Sequence, residues 1–394
     1  MRALVVTTHA AVVGGVETYL RAVLPRLRDR GVTLGLMTAN PEQGGASIRE
    51  LVPEVPHWVA GDVGETVAAA EEFGPDVVYT NDLPDPAADD ALARRFPTVR
   101  FAHNYAGGCV SGTKCHAAPG WQACSRRLGV GCLGLYLPRR CGGLNPLTAV
   151  KLYRQNRARQ RTLVRLRAVL VASRHMADEL IRNGAAAERV KVVPLYPSHA
   201  EPDTTPPEPR PRTDRVLFVG RLTPLKGWRE LLSAMPAVSA RLGRQLKLVV
   251  AGDGPDRTAF EVEVTRRGVP HEFLGWLGTD GVMSQMRNAD VLAVPSVWPE
   301  PFGLVGIEAG CVGLPAVAFA TGGIPDWLTP GVSGETAPGE RPNADQLAEA
   351  LVRALADDAH HQRLRVGAWE TARRFTADAH VSGLLAAFEQ VAGL

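Results

Sequence analysis

RVLFVGRLTPLKGWRELL, residues 215–232, sets the reading of the fold. An apolar strand runs into a loop containing glycine, and a helical pattern follows. RALVVTTHAAVVGGVETYL, residues 2–20, repeats that order. Around the first opening, candidate strands are Arg2–Thr8, Thr33–Asn40, Pro75–Leu83, Thr98–Asn104, Ala168–Arg174 and Arg189–Tyr196. Around the second they are Arg215–Arg221, Leu246–Gly254, His271–Leu277, Ala289–Ser296 and Leu314–Thr321. Strands alternating with helices predict parallel sheets covered on both faces. PSHAEPDTTPPEPRPRTD, residues 197–214, holds six Pro in 18 residues. Proline fixes φ and removes a donor, so this segment is neither core strand nor core helix and reads as a linker. The expectation is an α/β chain of two doubly wound domains facing a central cleft. They are residues 1–196 and 215–375, and ligands bind at strand carboxyl ends.

Composition agrees. The chain has 394 residues, 45% apolar and 22% charged, enough for two ordinary cores. A formal net charge of +3 does not by itself make a nucleic-acid binder. No apolar run approaches the ~18 residues of a membrane span, and the N-terminus lacks a signal-peptide pattern. The expected compartment is the cytoplasm. Only 5 Lys stand against 39 Arg, so a lysine at a given basic position is unusual here.

FVGRLTPLKG, residues 218–227, puts Arg221 and Lys226 between a strand end and a helix start. Two cations beside free helix N–H groups suit a diphosphate; a solvated loop is the other reading. ADVLAVPSVWPEPFGLVGIEAGCVGLP, residues 289–315, carries Glu300 and Glu308 among four Gly. A helix is expected to begin near Pro301–Gly303, with Glu308 one and a half turns in. Carboxylates accept strong hydrogen bonds from hydroxyls, and the N–H groups of Phe302, Gly303 and Leu304 offer donors. Surface charges are the alternative. AGDGP (251–255), FLGW (273–276) and TGGIPDWL (321–328) fall at successive strand ends, where glycine lets backbone approach a ligand.

Taken together, FVGRLTPLKG, AGDGP, the Glu pair separated by seven residues, TGGIPD, GGVETYL and VRFAHN resemble retaining family-4 glycosyltransferases of the GT-B fold. The resemblance implies that Arg221 and Lys226 hold the donor diphosphate. It implies that Glu308 bonds the ribose and Glu300 the donor sugar, with Phe302, Gly303 and Leu304 as backbone donors. Gly14 and Gly15 match the glycine loop, His103 the histidine near the transferred sugar, and Trp276 and Leu277 the loop by the base. The catalytic set so implied is His103, Glu300, Arg221 and Lys226. A final helix, 376–394, would cross back to the first domain. The implied reaction moves a sugar from a nucleotide diphosphate donor, UDP ahead of GDP, to a hydroxyl acceptor with retention. That acceptor is a bacterial glycan, a glycolipid or a natural-product core. No metal cofactor is required for catalysis. A phosphorylase or epimerase, or a non-catalytic nucleotide-sugar binder, remains the alternative.

Other histidines read as structural: His57 and His271 at strand starts and His175 at a helix start. Residues 104–143 form an insert with Cys109, Cys115, Cys124, Cys132 and Cys141. Without a C-x-x-C pair, a structural zinc (three Cys with His116, or four Cys), disulfides and thiols all stay open. KLYRQNRARQRTLVRLR, residues 151–167, has seven cations and no acid. It reads as a solvated helix packing Leu163, Val164 and Leu166, with peripheral contact to an anionic membrane as the alternative.

Overall fold

A computed structural model describes residues 1–12, 14–40 and 47–393, apart from the side chains of Arg49 and Leu51. It divides into two compact units. The first comprises Met1–Lys114, Ser125–Pro194 and Ala377–Leu394; the second comprises Cys115–Cys124 and Leu195–Thr376.

In chain order the first unit has β1 (Arg2–His9), α1 (Gly15–Asp29), β2 (Thr33–Asn40), β3 (His57–Val59), α2 (Val63–Phe73), β4 (Val77–Thr80), α3 (Pro86–Arg95) and β5 (Thr98–Ala102). The hairpin β6 (Cys115–His116) and β7 (Gln122–Ala123) follows and belongs to the second unit. Next come α4 (Gly131–Tyr136), α5 (Pro146–Leu163), β8 (Ala168–Val171), α6 (Arg174–Arg182) and β9 (Val190–Val192). The sheet runs β3-β2-β1-β4-β5-β8-β9 with every neighbouring pair parallel. β1, β4, β5 and β8 are largely apolar and buried because helices cover both faces.

The second unit continues with β10 (Arg215–Val219), α7 (Trp228–Leu242), β11 (Lys247–Ala251), α8 (Arg257–Arg266), β12 (His271–Gly275), α9 (Thr279–Asn288), β13 (Val291–Val294), α10 (Val305–Cys311), β14 (Ala316–Phe319), β15 (Gly334–Ala337), α11 (Ala344–Leu355) and α12 (Asp358–Ala372). Its sheet runs β12-β11-β10-β13-β14-β15, again parallel throughout. Val216, Phe218, Val250, Val291, Val317 and Trp228 lie in its main core cluster. Both sheets reverse their order beside the opening strand, between β1 and β4 and between β10 and β13. Those switch points are where doubly wound sheets bind ligands.

The expected strands form, most of them trimmed at their ends. β3 and β15 are additions. Neither carries an apolar alternation, and each exists through pairing with β2 or β14. In β15, Gly334 sits at φ +157° and a Cβ there would lie 2.0 Å from the Ala316 carbonyl oxygen. His57 opens β3 and bonds the Thr38 hydroxyl at 2.9 Å; His271 opens β12 and bonds the Val269 carbonyl at 3.1 Å.

Residues 197–214 form no helix or strand, but they are strapped to the second unit rather than hanging as a free linker. Trp369 donates to the Asp203 carbonyl at 2.7 Å, Arg287 grips the Asp203 carboxylate at 2.6 and 2.8 Å, and Arg365 donates to the Glu208 carbonyl at 2.6 Å. The terminal helix α13 (Ala377–Ala392) belongs to the first unit, where His380 bonds the Pro194 carbonyl at 2.7 Å and Phe388 packs on Tyr79. Leu394, the end of the expected helix, lies outside the described residues.

The insert does not form one block within the first unit. Cys115–Cys124 groups with the second unit, where Trp121 packs on the main core. The rest is fixed within the first unit by buried polar anchors. Lys114 pairs with Glu179 at 2.8 Å, Asn156 accepts from the Gly107 N–H at 2.9 Å, and Asn183 accepts from the Leu128 N–H at 2.8 Å.

Candidate active site

The second unit gathers its charged groups at its switch point. After β10 the chain passes Gly220, the exposed Arg221 and the buried Leu222 into a single 3-10 turn, Pro224–Lys226. Gly227 then takes φ +67°, and α7 begins at Trp228. A Cβ at Gly227 would stand 1.7 Å from the Pro295 carbonyl oxygen, so glycine alone lets this turn press on the β13 loop. A Cβ at Gly252 or Gly254, in AGDGP, would likewise meet the Gly220 or Leu222 carbonyl oxygen at 2.0 or 2.3 Å. Glycine here serves the packing of one loop on another.

That packing brings Lys226 to Glu300. Its ammonium donates to Glu300 Oε1 at 2.6 Å, and the same oxygen accepts from Ser296 Oγ at 2.6 Å and Trp298 Nε1 at 3.0 Å. Glu300 is 5% exposed. With three donors on Oε1, Oε2 has no protein donor among the described residues and remains an acceptor for a ligand hydroxyl. The Glu300 carbonyl accepts from the Gly323 N–H at 2.7 Å, and a Cβ at Gly322 would lie 2.2 Å from that carbonyl oxygen. TGGIP thus holds the backbone of Glu300 in place. Arg221 has no ion-pair partner among the described residues.

Two details differ from expectation. α10 begins at Val305, so Glu308 lies in its first turn rather than one and a half turns in. Phe302 buries its ring against Phe375, and its carbonyl is taken by Trp327 Nε1 at 2.6 Å. The N–H groups of Phe302, Gly303 and Leu304 have no acceptor among the described residues. Burial pushes the Glu308 carboxyl up to about 7. Trp276 follows the end of β12 with its ring 81% exposed, beside the half-buried Leu277.

In the first unit, His103 follows β5. Its Nε2 lies 2.8 Å from Asn81 Oδ1, an acceptor that calls for the Nε2–H tautomer. The ring stacks on Phe101 at 4.7 Å and meets Tyr19 edge-on at 5.0 Å. Burial first, then the charges of His380 and Arg100, hold His103 down to about 3, so it is neutral at physiological pH. Gly14 and Gly15 are exposed, and Gly14 caps α1 with no side-chain bond. The buried Glu17 carboxylate lies 3.4 Å from where a Gly14 Cβ would be.

The sequence reading did not single out Ser296, Trp298, Asn81 or His380. Ser296 and Trp298 stand four and two residues before Glu300, within reach of a local reading. Asn81 and His380 enter through strand order and through α13, which the local sequence does not reveal. His175 packs edge-on against Tyr105 at 5.9 Å, and burial lowers its pKa.

Among the described residues no three of His, Cys, Asp and Glu are gathered to hold a metal, and no disulfide joins the six cysteines. Leu163, the last residue of α5, and Leu166 just beyond it are buried as expected, but Val164 between them is 56% exposed.

Family models match two consecutive stretches. Residues 13–195 fit Glycosyltransferase Family 4, and residues 204–370 fit Glycosyl transferases group 1. The chain is 34% identical over 264 residues to a 2-deoxystreptamine glucosyltransferase of Streptomyces kanamyceticus, covering 63% of this chain and 64% of that protein. It is 33% identical over 246 residues to a D-inositol 3-phosphate glycosyltransferase of Xylanimonas cellulosilytica, covering 57% of each. The matched segments thus span less than two thirds of these relatives' lengths. The crystal structure of Anabaena HepE in complex with UDP superposes with a TM-score of 0.69 at 20% identity, covering both chains in full. With the two sheets, these matches establish the class: a GT-B fold. The chain belongs to the family-4, group 1 glycosyltransferases.

Proposed function

We propose that this chain transfers a sugar from a nucleotide diphosphate sugar, with UDP ahead of GDP, to an acceptor hydroxyl, retaining the anomeric configuration. The observation that carries the reading is the Lys226–Glu300 pair at the β10–β13 switch point. One loop supplies ammonium and guanidinium for a diphosphate, and the other holds a carboxylate with one oxygen left for hydroxyls. Arg221, Lys226 and the N–H groups of Phe302, Gly303 and Leu304 neutralise charge as the diphosphate leaves. A well-placed donor of this kind contributes about 3 kcal/mol. Glu300 orients the sugar and Glu308 the ribose, while Trp276 and Leu277 stand by the base. His103, kept neutral, bonds hydroxyls rather than exchanging protons. Gly14 and Gly15 border the acceptor side.

The relatives named as glucosyl- and glycosyltransferases support the transfer, and the UDP complex of HepE supports the base. The reaction is placed in the cytoplasm, on a bacterial glycan, a glycolipid or a natural-product core. As the family resemblance implies, the acceptor attacks on the face the diphosphate leaves, and the leaving phosphate takes its proton. UDP- and GDP-sugars incubated with hydroxyl acceptors, with products resolved by NMR, test this. An α-linked product from an α-linked UDP-sugar is expected. Inversion, or turnover with phosphate as sole acceptor, overturns it.

A further inference from the structure

From Ala91 to Ala177 the chain contains 16 Lys and Arg and no Asp or Glu. Outside that stretch, 28 cations face 41 acids. The near-neutral total therefore hides a strongly cationic segment, and part of it is also apolar on the outside.

Residues 142–148 are all exposed. Among them, Leu144 is 72% exposed and Leu147 79%. α5 shows how the exposure is arranged. Ala149, Asn156, Gln160 and Leu163 are buried on one side, and Asn156 and Gln160 are held there by hydrogen bonds to the Val110 carbonyl and the Asn183 side chain. At 100° per residue the opposite side presents Leu147, Val150, Lys151, Arg154 and Arg161, all exposed. The helix is thus locked with two apolar residues at its start and cations along the same face. The insert's own core is satisfied without those leucines: Val110, Leu128, Tyr136 and Ala149 pack together. Lys151 and Arg154 have no ion-pair partner among the described residues.

We propose that this face, with Leu147, Lys151 and Arg154, and the exposed Leu144 just before the helix dock the protein on an anionic lipid bilayer. Leucines enter the boundary between headgroups and acyl chains while flanking cations meet lipid phosphates. A purely solvated surface gives no reason for the exposed Leu147 on the helix and Leu144 just before it. A nucleic acid would use the cations but not the leucines. A second copy packed through the same patch would set like charges against each other. The proposal stands on this surface alone and is independent of the sugar-transfer reading.

The test is co-sedimentation of the full chain with phosphatidylcholine vesicles and with vesicles containing 30% phosphatidylglycerol. Binding to the anionic vesicles only, weakened by 0.5 M NaCl, is expected. At about 1 kcal/mol per surface cation, Lys151→Ser with Arg154→Ser lowers the partition coefficient roughly 30-fold. Leu144→Ser with Leu147→Ser lowers it at least tenfold, and UDP-induced thermal stabilisation is unchanged in both double variants. The two pairs are independent, so misfolding of one leaves the other decisive. Failure of the chain to sediment, or unchanged partition in a folded double variant, overturns the proposal. So does a DNA duplex that displaces the vesicles without sensitivity to the leucine pair, or a dimer dispersed by the leucine pair.

Discussion

Glu300→Gln should tighten UDP binding while crippling sugar transfer, an outcome opposite in sign to simple loss of a site residue. Lys226 is held by Glu300 Oε1 at 2.6 Å. A phosphate oxygen bound on the far side of the ammonium would lie roughly 5.5 Å from that carboxylate, given a charge-assisted bond of about 2.8 Å. Two unit negative charges at ~5.5 Å repel by roughly 0.8–3 kcal/mol for effective dielectrics of 80 to 20. The Lys226 side chain is 33% exposed, so solvent screening places the effect at the low end. The expected gain in UDP affinity is about three- to tenfold by titration calorimetry at low salt, fading as salt rises. The neutral amide still meets Ser296 and Trp298 but accepts sugar hydroxyls more weakly. Transfer from the UDP-sugar, followed by UDP release, should fall at least about 100-fold. Weaker UDP binding in a folded Glu300→Gln protein would refute the reasoning, because Glu300 would then support the diphosphate rather than oppose it.

Three further outcomes are expected. Glu308 is raised above its ordinary value to about 7, so the folded state binds the extra proton and the stability this group contributes falls as pH rises from about 4.5 through 7. Glu308→Gln should remove that contribution, so its stability relative to wild type should be up to about 3 kcal/mol more favourable at pH 8 than at pH 5 by urea unfolding; a difference that does not change with pH refutes it. Gly227→Ala drives a Cβ into the Pro295 carbonyl and should cost more than about 2 kcal/mol by urea unfolding, along with UDP binding; a neutral effect would mean the two loops do not press together. His103→Ala should keep UDP affinity and lose about 100-fold in transfer. Because His103 titrates near 3, the wild-type pH–rate profile should show no limb near pH 6.5 attributable to it; a limb lost in the alanine variant would place its pKa in the ordinary range.

Much of this protein was legible in one dimension. Short apolar runs followed by glycine loops and helical patterns are local, and a parallel sheet buried on both faces makes its strands continuous apolar segments. The ends of Thr33–Asn40 were read to the residue, and Arg221, Lys226, Glu300 and Glu308 were picked out by residue type and spacing. What depends on partners far along the chain was not legible. β15 has no strand pattern of its own and forms because β14 presents an edge. The proline-rich segment looks like a tether, yet Trp369, Arg365 and Arg287 fix it to the second unit.

Sequence alone determined that two α/β units follow one another and that a cation pair and a carboxylate pair flank strand ends, because those features repeat over distances of ten residues or fewer. Tertiary structure alone decided that Lys226, Ser296 and Trp298 converge on one oxygen of Glu300, and that desolvation keeps His103 neutral beside Asn81 and His380. Hydrogen-bond direction and desolvation depend on which strands become neighbours. That order is set when long-range contacts close the sheets, not by any single stretch of chain.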